Sequence, residues 1–169
     1  MIRTLEGKTP KIHPTAFVSE AAYVVGDVEV GEYSSIWPGV VIRGDSGKIT
    51  IGANTNIQDN SVIHSDADAR IGDGVTIGHS VTWHGRILSD HCLVGNGATA
   101  NDGVEMGEFS IIAAGSVVLE ESRIPARTIV RGIPGKPAGT IEERHEALIK
   151  RTGETYLRKG QRYKSAGLE

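Results

Sequence analysis

The chain has 169 residues, a net charge of -3 and no long apolar run. That balance excludes a nucleic-acid polyanion as the main partner and excludes a membrane span; with no signal-peptide pattern, the cytoplasm is the expected location. Twenty-two glycines and only 5% aromatic residues suit a narrow aliphatic core better than a conventional sandwich.

Residues 1 to 24 read as a lead-in segment, with Ile12-His13-Pro14 and the pair Phe17 and Val18 covering the first coil of a repeat. Beyond it, aliphatic residues recur at a step of six: Val30, Ile36, Ile42; Ile51, Ile57, Ile63; Ile71, Ile77, Trp83; then Leu88, Val94, Ala100, Met106, Ile112 and Val118. Two positions before each anchor stands a small or β-branched residue, Arg86 before Leu88 being the exception. Alternate residues of a strand share a face, so this spacing marks short strands, and no helical step of three and four is sustained. A repeat this short calls for a parallel β-solenoid with three faces per coil, residues about eighteen apart stacking roughly 4.8 Å above each other. The step from Ile42 to Ile51 is nine residues and inserts a loop, a common place for a binding surface on a solenoid. The lone Cys92 falls on an inward small position and reads as a buried structural thiol.

After Val118 the period is expected to dissolve into Ile124-Pro125-Ala126 and Gly132-Ile133-Pro134-Gly135-Lys136-Pro137, a turn-rich exit whose prolines forbid helix. From about Thr140, Ile141, His145, Leu148, Ile149, Tyr156 and Tyr163 mark a terminal helix, open to interruption at Gly153. The expected division is residues 1–139 as a β-helix domain with its lead-in, and 140–169 as a helix packing along the solenoid.

On this coil His64 and His84 each follow an anchor by one residue on the same face of adjacent coils, so both imidazoles leave the solenoid together. His79 follows Ile77 by two, on the preceding face and near a corner, where reaching the same ion within one chain is hard. Three solenoids about a three-fold axis would let His79 of one protomer meet His64 and His84 of its neighbour. Three imidazoles with a vacant fourth position describe a catalytic zinc site; closed structural sites favour thiolates, and only one cysteine exists here. Arg43, Asp45, Gln58 and Asp59 surround this trio in sequence, and a buried Arg43 needs a carboxylate such as Asp45 or Asp59. The residues alone leave open whether that network is catalytic or only ties protomers together.

The motifs Gly26-Asp27-Val28, Ser34-Ser35-Ile36-Trp37, Val41-Ile42-Arg43-Gly44-Asp45, Thr55-Asn56-Ile57-Gln58-Asp59, His64, Val75-Thr76-Ile77-Gly78-His79 and His84-Gly85 run in order over nearly the whole chain. In this the sequence resembles the γ-class carbonic anhydrases. The resemblance implies an all-β, left-handed parallel β-helix of hexapeptide repeats with a C-terminal α-helix. It implies a homotrimer with Zn2+, or Fe2+ or Co2+, at each protomer interface, held by His64 and His84 of one subunit and His79 of the next. Arg43, Asp45, Gln58 and Asp59 match the family's polar network, Gln58 placed to orient a metal-bound hydroxide that hydrates CO2 to bicarbonate. Ser46 stands where active members carry a glutamate, so the proton shuttle is unassigned, with Asp66 and Asp68 as candidates. Tyr156 is a candidate to approach the metal cleft of a neighbour, and Trp83 must either bulge the coil or swing outward. The rival readings are an acyl-CoA-dependent acyltransferase, suggested by the Gly132–Pro137 exit, and a metal-binding trimer acting as thioesterase or scaffold.

Overall fold

The computed structural model describes residues 1–169. Short parallel strands stack into a left-handed β-solenoid of about seven turns, with a single helix, Glu143–Ser165, laid along one side. Ile51, Ile57 and Ile63 stand in register with Ile71, Ile77 and Trp83, as the six-residue spacing requires. Every anchor from Val30 to Val118 is buried, and so is the small or β-branched residue two positions before it, Arg86 apart. Polar residues survive at those inward positions because their hydroxyls are hydrogen-bonded to the next coil: Ser34 donates to the Gly52 carbonyl at 2.7 Å, Thr55 to Gly72 at 2.7 Å and Ser61 to Gly78 at 2.8 Å, while Ser116 accepts from the Gly132 amide. Cys92 fills the same slot, its Sγ 3.1 Å from the Gly107 carbonyl, and burial pushes its thiol up to about 12. Corners turn three residues after the anchor through backbone with φ > 0, as at Tyr33, Asn54, His91, Phe109 and Arg127 on one edge.

The repeat is longer than the expected one. Ile12, Val18 and Val24 pair with Val30, Ile36 and Ile42, so the lead-in is a full coil of the solenoid. At the other end Ile124 pairs with Met106 and Val130 with Ile112, beyond the point where the period is expected to dissolve. Prolines there are no obstacle, because Pro125 lies just after its anchor, between the last strand of that face and the turn that follows. Thr128–Arg131 then pairs antiparallel with Lys136–Thr140. The helix runs through Gly153 without interruption. Its buried Gly160 lets it close onto the sheet: an added Cβ would sit 3.1 Å from Ser35 Cβ. Tyr163 packs edge-on against Phe17 and Trp37, and Tyr156 against Trp37.

Trp83 neither bulges the coil nor swings out. It is 1% exposed, and the volume is found in the next coil, where Ala100 stands directly in register and Ala98 occupies the inward position before it. Gly85 completes the fit, since a Cβ there would lie 2.6 Å from the indole. The indole Nε1 has no hydrogen-bond partner, a cost of about 1–3 kcal/mol that this packing must offset.

The three faces differ in what they show outward. One presents Lys11, Glu29, Thr50, Arg70, Ile87, Glu105 and Arg123. The second, carrying Phe17, Ser35, Asn56, Thr76, Leu93, Ile111 and Ile129, includes the strands that the helix covers. The third presents Tyr23, Val41, Val62, Thr82, Thr99 and Val117, with no charge at all in that row.

Candidate metal centre

The histidines stand beside that uncharged row. Residues one after an anchor point outward, and Arg43, His64 and His84 follow Ile42, Ile63 and Trp83, which stack in register; Arg43 pairs directly with His64. His64 Nδ1 lies 2.7 Å from His84 Nε2. His64 Nε2 is 2.8 Å from Asp45 Oδ1, and Arg43 donates to the other oxygen of that carboxylate. Desolvation pushes the Asp45 carboxyl up, but the hydrogen bonds from Arg43 and His64 outweigh it and bring the group down to about 2. On the far side Asp102 Oδ1 is 2.7 Å from His84 Nδ1, close enough to pair but out of line, so this buried nitrogen has no hydrogen-bond partner. Each imidazole therefore has a carboxylate at one nitrogen and turns the other toward a shared point. Asp66 joins them, one of its carboxylate oxygens and one ring nitrogen of each histidine lying within 4.8 Å of one another.

A second group forms at the preceding corner. His79 Nδ1 sits 3.0 Å from Asp59 Oδ2, and the Tyr156 hydroxyl of the same chain lies 3.4 Å from His79 Nε2. Burial, with Asp59 close by, pushes the Tyr156 phenol up, so it stays protonated and donates to the ring. With Nε2 accepting from the phenol, the proton of a neutral His79 ring is on Nδ1, on the side of Asp59. Gln58 is buried and its amide donates to Asn56 Oδ1 at 2.9 Å.

Of the residues singled out from sequence, the structure thus brings Arg43, Asp45, His64 and His84 together and gathers Asp59 with His79 elsewhere; Gln58 hydrogen-bonds with neither group. Arg43 is paired by Asp45 and not by Asp59. Asp68 accepts from the Lys48 backbone at 2.9 Å and ties loop to loop. Asp102 is absent from the residues the sequence singles out, although its place two residues after Ala100, one coil above His84, is a usable signal.

The donors suit a divalent metal. Imidazoles with carboxylates beside them, converging on one point near a further carboxylate, match what zinc, ferrous iron and cobalt bind, and the unpartnered buried nitrogen of His84 has the Asp102 carboxylate 2.7 Å away.

No family model matches the chain. It is 40% identical over 167 residues to a carbonic anhydrase of Geobacillus kaustophilus, covering 98% of this chain and 92% of that one. It is 38% identical over 162 residues to gamma carbonic anhydrase 2, mitochondrial, of Arabidopsis thaliana, covering 91% of this chain; the chain spans 58% of that relative's length. Among solved structures, a putative acetyltransferase of Bacillus cereus superposes with a TM-score of 0.83 at 35% identity, over 98% of this chain and 97% of that one.

Proposed function

The chain belongs to the γ-class carbonic anhydrase family, and we propose that it is a metal-dependent enzyme hydrating CO2 to bicarbonate at a site shared between protomers of a homotrimer. The observation that carries the reading is the approach of His64 Nδ1 to His84 Nε2 at 2.7 Å, with an aspartate beside the other nitrogen of each ring. His64 and His84 of one chain would hold the ion, with His79 from a neighbour. A divalent ion so held lowers the pKa of its water from about 15.7 to about 7 and supplies hydroxide at neutral pH.

The chain's own residues do the rest. Asp45, kept ionised by Arg43, fixes the ring of His64. Asp102 stands 2.7 Å from His84 Nδ1, within reach of that ring. Tyr156, donating to Nε2, makes that nitrogen of His79 the acceptor, with the Asp59 carboxylate beside Nδ1. The uncharged row supports assembly: Tyr23 and Val62 in it are 37% and 40% exposed in the single chain, and a row of mostly β-branched residues free of charge suits a self-complementary contact.

The test is stopped-flow CO2 hydration by protein purified without air and loaded with zinc or ferrous iron, beside His84→Ala. Metal-dependent turnover that the variant lacks is expected; stoichiometric metal without turnover would overturn the anhydrase reading. A second reading, acyl transfer from acyl-CoA, is favoured by the likeness to the Bacillus cereus structure. It would show saturable acetyl-CoA binding and activity indifferent to chelator.

A further inference from the structure

We propose that Asp66 is a third protein donor at this centre, so that one chain holds a divalent ion through His64, His84 and a carboxylate before any histidine arrives from a neighbour. The inference rests on the metal-centre reading but not on the reaction assigned to it.

The geometry is complete within a single chain. Asp45 hydrogen-bonds to His64 Nε2 and holds that ring's Nδ1 toward His84, and the Asp102 carboxylate stands 2.7 Å from His84 Nδ1. Asp66 presents an oxygen within 4.8 Å of one ring nitrogen of each histidine. Two donors on one ion with bonds of about 2.1 Å lie at most about 4.2 Å apart, so a small side-chain rotation closes the gap. Asp66 is free to make it: the residue is exposed, and no hydrogen bond or ion pair holds its carboxylate elsewhere. The backbone beside it is fixed, because the preceding Ser65 is 5% exposed and its Oγ accepts from the Ala67 amide at 3.4 Å.

The approach is suited to a cation as well. A cavity of about 330 Å³ opens beside the histidines, lined by Asp66, Asp102 and Glu121 with Arg86 as the one cation. Its net negative lining raises the local concentration of divalent ions. Two imidazoles and one carboxylate leave coordination positions open, a set that zinc, ferrous iron and cobalt all accept. On this reading His79 of a second chain adds a donor to an ion already held, and the carboxylate comes from the loop that lengthens the step between Ile63 and Ile71.

The experiment is Co2+ titration of the full chain and of His79→Ala, Asp66→Asn and the double variant, read as cobalt retained per chain after gel filtration and as the visible absorption of bound Co2+. Thermal unfolding of each variant checks that it is folded. His79→Ala should retain stoichiometric cobalt with an altered spectrum. Asp66→Asn should bind at least roughly tenfold more weakly, the lower bound set by losses at outer-shell partners. The double variant should bind none. A folded His79→Ala that takes up no cobalt, or Asp66→Asn with unchanged affinity and spectrum, would overturn the proposal. Because metal and not turnover is read, a chain that behaves as expected here yet hydrates no CO2 would support this inference and remove the anhydrase reading alone.

Discussion

At two of the solenoid's corners every step between anchors is six residues, whereas at the third, successive coils take steps of nine, eight and five before returning to six. The irregular corner is the one that comes after Arg43, His64 and His84. Its extra residues supply Asp45 in the first lengthened step and Asp66 in the second. The regular corners hold coils in register; the irregular one brings carboxylates to the ends of a histidine column that regular stacking has already aligned. Scaffold and site thus separate along the chain by spacing, not by position in the fold.

The largest break in this contrast should come from the regular part. Ile77→Ala removes a fully buried anchor and is expected to cost about 2–5 kcal/mol in urea unfolding, whereas His84→Ala at the irregular corner should stay within about 0.5 kcal/mol while losing metal. A similar loss from His84→Ala would mean that the column is scaffold after all. Next, Ala100→Leu crowds Trp83 from the coil above and should cost about 1–3 kcal/mol; combining it with Trp83→Leu should recover part of that loss, which measures how far the two coils share one volume.

Smaller still, the helix contains its own version of the contrast. Gly160 is pressed against Ser35, but a Cβ at Gly153 would meet nothing within 4 Å. Gly153→Ala should therefore raise stability by about 0.5–1 kcal/mol, read by thermal unfolding, with no effect on bound metal. The smallest effect is a pH dependence. Asp45 is lowered from 3.8 to about 2, so it stabilises the fold fully above the ordinary carboxylate range and loses that contribution as pH falls toward about 2. Unfolding curves across that acid window should steepen for the native chain relative to Asp45→Asn.

Much of the architecture is legible in the sequence because a solenoid has one rule. The anchors and their inward partners come from a step of six, and the shared face of His64 and His84 comes from counting. The first coil is masked by Pro14 and the short apolar pair, although Ala16 and Ala22 sit buried two before Val18 and Val24 and obey the same rule. At the far end Ser122 and Thr128 carry that signal before Ile124 and Val130. Trp83 is unreadable one position at a time. Its room is made by Ala98 and Ala100 one coil away, and a volume shared between coils leaves no mark in a single repeat. Asp66, Asp102 and Tyr156 depend on side-chain directions at loops and on where the helix docks, which periodicity does not determine.

Pro125 also decides how the molecule ends. In the coils below, the residue just after the anchor on that face donates its amide upward, as Gly72 does to Leu88, Ser89 to Met106 and Gly107 to Ile124. Proline has no such donor, so the growing edge offers a gap in the place where another coil would fasten. On the next face the antiparallel strand Lys136–Thr140 occupies the place of a further parallel one. A repeat with no internal reason to stop, whose unpaired rim would otherwise recruit further chains end to end into a fibre, is thereby made into a particle of fixed height.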